Sequence, residues 1–147
     1  VRTPDSKFNL ANFMRVHLFT ALGALKTGCD ILLKEEKVQV DNITGHGGLF
    51  KTKGVGQQIL AAAMNSPVSV METAGEGGAW GIALLASYLV NNTNKQSLAD
   101  YLDEVVFAGD AGVEIKPTKE DVAGFNKYIE NYKACLAIEE AAVKAKN

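Results

Sequence analysis

Two glycine-rich turns limit most what this chain can become, each set after a short β-prone run and ahead of an apolar run of helical period. They lie in residues 40–89, VDNITGHGGLFKTKGVGQQILAAAMNSPVSVMETAGEGGAWGIALLASYL. Residues 40–44 carry Val, Ile and Thr and run into Gly45, Gly47 and Gly48, which predicts a strand entering a tight turn. Glycines there can take positive φ and admit a second backbone, or a ligand, at close range. Residues 53–64 follow as a predicted helix, with Val55, Ile59, Leu60, Ala63 and Met64 on one stripe. Asn65, Ser66 and Pro67 end it, because proline disfavours the α region for the residue before it. Residues 67–71 predict a second strand, and Gly75, Gly77 and Gly78 a second turn. Residues 80–90 are apolar on nearly every face, which predicts a helix packed on both sides.

Strand, helix and strand with a crossover of this length predict a parallel, right-handed βαβ unit, and so an α/β fold. Ligands in such sheets gather at the carboxyl ends of the strands. The 45–48 turn occupies that place, and free amides at a helix start suit phosphate. The turn is neither a Walker A sequence nor GxGxxG. The residues alone therefore leave open a turn that needs its glycines only for packing.

A chain of 147 residues, 47% hydrophobic, can build one domain or part of one. The net charge of −2 and the lack of a basic patch argue against nucleic acid as a partner. No apolar run is expected to reach the roughly 18 residues that span a bilayer, and no signal peptide is expected. Cys29 and Cys135 form no CxxC pair and read as free thiols of a cytoplasmic protein. His17 and His46 lack partners at ligand spacing, so no metal site is expected. The chain starts at Val1 without an initiator methionine, as a piece of a longer protein would. A two-stranded parallel sheet is marginal alone, so further strands are expected from elsewhere or from another copy. Uncovered Ile43 and residues 68–70 would then invite self-association into a homo-oligomer.

Residues 1–8, polar and holding Pro4, predict a flexible arm. Asp5 or Ser6, with Asn9 second, would cap a helix over 8–33. Its predicted buried face is Met14, Leu18, Ala21, Leu22, Leu25, Cys29 and Leu32, with Gly23 and Gly28 allowing close helix approach. Residues 34–37 form a solvated end. After a polar loop at 91–95, Ser97 and Asp100 resemble a capping box. They open a short helix with Leu98, Tyr101, Leu102, Val105 and Val106 inward. A turn over 108–112 and an extended stretch over 113–117 lead to Thr118. This residue caps the last helix, with Glu120 and Asp121 in its first turn, favourable at the positive helix end. Val122, Phe125, Ile129, Tyr132 and Leu136 form its stripe, and Tyr128 and Tyr132 read as packing residues.

From GGLFKTKGVGQQILAAA through PVSVMETAGEGGAWGIALLAS, the chain resembles the C-terminal domain of FGGY-family carbohydrate kinases. The shared order is strand, Gly-Gly, polar residues and a Gln-Ile helix, then a Pro-Val strand, an acidic turn and an Ala/Gly-rich helix. The helices FMRVHLFTALGAL and FNKYIENYKACLAIEEAAV resemble the family's too, so the likeness covers most of residues 8–143. Its flavour is ribulokinase- or xylulokinase-like. His46 inside the glycine cluster, Lys53 in place of Asn and Ala62 in place of Asp depart from the pattern.

The resemblance implies a helix-rich part of an actin-like, ribonuclease H-like ATPase fold, with residues 1–147 forming its nucleotide-side portion. It implies ATP, with Mg bound through ATP, and a sugar substrate held through a domain not present here. Gly47, Gly48 and Leu49 would contact the adenosine and α-phosphate side of ATP, with Lys53 near the nucleotide. Glu76, Gly77 and Gly78 would shape the second turn. The family's aspartate base and phosphate loops have no counterpart here, since Asp41, Asp110 and Asp121 precede a strand, sit in a turn and cap a helix. The chain alone is therefore expected to lack kinase activity. The runner-up reading is a non-catalytic α/β interaction module; a third is a helical protein whose glycine turns are only structural.

Overall fold

The computed structural model describes residues 4–109 and 112–146. The protein is mixed α/β and helix-rich, with a small sheet. Its elements are α1 (Leu10–Asp30), β1 (Ile43–Gly45), α2 (Val55–Met64), β2 (Val68–Val70), α3 (Gly77–Asn91), α4 (Leu98–Tyr101), β3 (Val113–Ile115) and α5 (Lys119–Lys146). They divide into two compact units, Val1–Asp41 with Ile59–Ser66 and Pro117–Asn147, and Asn42–Gln58 with Pro67–Lys116. Positions 1–3 of the predicted arm and 110–111 of the predicted turn, Asp110 included, lie outside the described residues.

In the first unit α1 pairs with α5. Asn9, not Asp5 or Ser6, caps α1, accepting from the Asn12 amide at 2.8 Å. The predicted buried face of α1 needs correction. Met14, Ala21, Leu25 and Leu32 are exposed, and Leu22, Gly23, Lys26 and Asp30 are buried. Gly23 sets this phase: a Cβ there would stand 3.1 Å from the Tyr132 ring, so only glycine lets that ring lie on α1. Phe19 packs on Phe125 and edge-on to Tyr128, with ring centroids 5.0 and 5.2 Å apart. Phe125 is fully buried and Ile129 nearly so, while Leu136 at the far end of the stripe is exposed. Asp30 lies 2.7 Å from Lys26 Nζ, 3.1 Å from Lys34 and 3.5 Å from Lys133. Burial would push its carboxyl up, but the close contacts and charges of Lys26 and Lys34 outweigh this and hold it below its ordinary range.

The α1 helix with its following turn, Leu10–Glu35, is long and apolar enough by length and composition to cross a membrane, contrary to expectation. Arg15, Lys26, Asp30 and Lys34 place charges along it. Thr118 caps α5 as predicted, accepting from the Asp121 amide at 3.1 Å. Helix α2 ends on Asn65 at φ +49°, and the Ser66 amide reaches back to the Ala61 carbonyl at 3.4 Å. This left-handed cap closes the helix ahead of Pro67.

In the second unit β1 pairs parallel with β2, with Ile43 opposite Val68 and Gly45 opposite Val70. The predicted extended stretch at 113–117 supplies a third strand, β3, antiparallel to β2 with Val68 opposite Ile115. The sheet order is β1-β2-β3, so β2 is central. This corrects the expectation of uncovered strands: Val68 is fully buried. Asn42 donates to Ser69 Oγ at 2.8 Å and to Glu114 at 3.2 Å, tying the three strands together.

Helix α3 is not packed on both sides, and none of its residues is buried. Ile82 is 69% exposed and Leu89 82%. Trp80 meets Phe107, and Tyr88 meets the buried Tyr101, but Ile82, Leu85, Leu89 and Val90 are exposed. Ser97 caps α4, accepting from the Asp100 amide at 3.1 Å. That helix lasts one turn before widening, and Leu98 and Val105 are exposed instead of inward.

Candidate functional site

The site is built from two connections of the second unit, β1 to α2 and β2 to α3. The first does not pass straight from glycines into a helix. A short 3-10 turn, Gly48–Phe50, and a bend intervene before α2 begins at Val55. Gly47 sits at φ +103° and ψ −176°, a conformation closed to side-chain-bearing residues, so its glycine is required by the backbone. Gly56, at the start of α2, is required by space: a Cβ there would collide with the Leu49 carbonyl oxygen. The second connection is a 3-10 turn over Glu72–Glu76 instead of an open glycine turn, and Gly77 and Gly78 are already the first residues of α3.

The two connections clasp each other. The Gly47 amide donates to the Ala74 carbonyl at 2.7 Å. His46 lies against Gly77, where a Cβ would meet its ring at 3.1 Å. Lys51 Nζ donates to Glu76 Oε1 at 2.8 Å. That hydrogen bond and the lysine charge hold the Glu76 carboxyl below its ordinary range.

Beside the clasp opens a cavity of about 580 Å³ at the carboxyl end of β2. Residues 50–54 and Gln57 line one side, residues 70–72 another, and Gly112, Val113 and Ile115 the rest. Its charged groups are Lys51, Lys53 and Glu72. Gln57 is nearly buried; its Nε2 donates to the Val68 carbonyl at 2.7 Å and to the Val113 carbonyl at 2.6 Å, fixing the start of α2 to two strands.

Of the four residues predicted to meet a nucleotide, Lys53 lines the cavity, and no ion pair engages it among the described residues. Gly47, Gly48 and Leu49 do not line it; they precede Phe50, the first lining residue. The Gly47 amide is already committed to Ala74, while those of Gly48 and Leu49 meet no acceptor among the described residues. Sequence reasoning missed Lys51, Glu72 and Gln57. For Gln57 a signal existed: 57, 60, 61 and 64 share one helical stripe, and Leu60, Ala61 and Met64 on it are buried. Lys51 and Lys53 sit two apart in one polar run, and nothing local tells them apart. No group of three metal-binding side chains occurs among the described residues.

A cavity at the carboxyl end of a strand in a parallel strand–helix–strand unit lies where α/β proteins commonly hold ligands. The family model of the C-terminal domain of FGGY carbohydrate kinases matches residues 1–90 of the 147, and the chain belongs to that family. No curated protein and no solved structure matches it. The sugar-kinase class that the family defines brings with it ATP and a sugar as reactants.

Proposed function

We propose that this chain forms the nucleotide side of the cleft in an ATP-dependent kinase that phosphorylates a hydroxyl of a pentulose or related sugar. Residues 1–147 would be the C-terminal portion of a longer cytoplasmic protein with an actin-like fold, and the catalytic base would lie outside them. The carrying observation is the cavity beside the matched glycine turn. Its volume of about 580 Å³ suits a nucleotide-sized ligand, and Lys53 faces it without a counter-ion among the described residues. Lys53 would hold phosphate oxygens there. ATP supplies the transferable phosphoryl group, and Mg would be carried mainly by its phosphates. The chain's own share is positioning and positive charge, the main needs of phosphoryl transfer.

Calorimetric titration with MgATP tests this. Saturable binding is expected, weakened about tenfold in Lys53→Ala, in line with losing one charge-assisted contact. Absence of saturable binding, or an unchanged affinity in Lys53→Ala, would overturn it. The uncovered apolar length of α3 favours a second reading, an α/β interaction module. No nucleotide binding together with a stable dimer in solution would select that reading.

A further inference from the structure

Lys51 belongs to two arrangements at once. Its side chain lines the cavity, yet its ammonium is held 2.8 Å from Glu76, which does not line it. The lysine stem lies over Gly75, where a Cβ would meet Cγ at 3.2 Å. The pair is exposed, 59% at Lys51 and 75% at Glu76, so water and salt screen it and it opens readily. One ammonium cannot fully serve both a carboxylate and a phosphate. The cavity's other charged groups are Lys53 and Glu72, so with Lys51 drawn toward Glu76 its positive charge rests on Lys53.

We propose that Glu76 is a built-in competitor of the cavity's anionic ligand: it holds Lys51 until a polyphosphate enters, and the polyphosphate takes Lys51 over. This rests on the reading that the cavity receives the phosphates of a nucleotide. Its consequence has an unusual sign. Removing Glu76 strengthens ligand binding although no ligand contact is gained, because Lys51 no longer has to be released. Removing Lys51 weakens binding and also abolishes the benefit of removing Glu76. A carboxylate acting only through its general negative field would oppose the ligand whether or not Lys51 were present.

The test is a double-mutant cycle on the whole chain at low salt, titrated with MgATP and separately with inorganic tripolyphosphate. Thermal melts confirm that each variant is folded. Glu76→Gln is expected to tighten binding of both ligands by about two- to fivefold, the scale of an exposed ion pair. Lys51→Met is expected to weaken it, and the double variant to match Lys51→Met alone. Binding by the unaltered protein that Glu76→Gln leaves unchanged or weakens would overturn the competition and leave the nucleotide site standing. Tightening that persists in the Lys51→Met background would also overturn it, as a field effect. No binding of either ligand by the unaltered protein and by Glu76→Gln would remove both the site and the competition.

Discussion

Helices α2 and α3 begin alike and end differently. Each follows a strand of the parallel pair through a glycine-containing connection, and each is predominantly apolar. In α2, Leu60 through Met64 are all buried, Leu60 to 6% exposure. In α3, not one residue is buried. Apolar composition therefore states a helix's demand for cover, and only a neighbour at the right place meets it. Helix α2 also has a polar anchor: Gln57 holds two strand carbonyls. The polar contacts of α3 side chains cluster near its C-terminal end, where Ser87 bonds Tyr101 at 2.9 Å and Tyr88 the Gln96 carbonyl at 2.8 Å.

The sharpest test of this contrast is the same substitution in both helices. Leu60→Ala is expected to destabilise the protein by about 2–5 kcal/mol in chemical denaturation, because it removes buried methyls and leaves a cavity. Leu89→Ala is expected to stay within about 0.5 kcal/mol, since that side chain is already in solvent. Equal losses would break the comparison and show that α3 is covered in solution. A smaller effect is expected from Gln57→Leu, which strips donors from two carbonyls and should cost about 1–3 kcal/mol. The smallest concerns the approach to α3. The Glu76 carboxyl should titrate below its ordinary value of 4.5 when followed by NMR, and return toward it in Lys51→Met. Because its value is lowered in the folded state, the Lys51–Glu76 link is present above that ordinary value and is lost as pH falls through the lowered one.

The sequence made local chemistry legible. Ser97 and Thr118 are caps and residues 65–67 stop α2, because each depends on neighbours a few positions away; the two β-prone runs pair in parallel because the helical crossover between them leaves that arrangement. Long-range choices were not legible. The phase of α1 is decided by a ring 109 positions along the chain, Tyr132 on Gly23, and by burial of Lys26 and Asp30, which a hydrophobic stripe cannot anticipate. Strand β3 has three residues, one of them Glu114, too few for a period to declare itself. At the candidate site, the glycine turn and Lys53 could be read from pattern. The engagement of Lys51 by Glu76 could not, since it joins two connections 25 positions apart.

Photolabelling with an azido-substituted ATP, followed by peptide mapping, most directly tests whether the β2-end cavity receives the nucleotide. Adducts are expected on peptides holding residues 50–57 and 70–72, and excess unlabelled ATP should abolish them. Adducts confined to α1 or α5, or labelling that unlabelled ATP does not displace, would contradict a nucleotide site in that cavity.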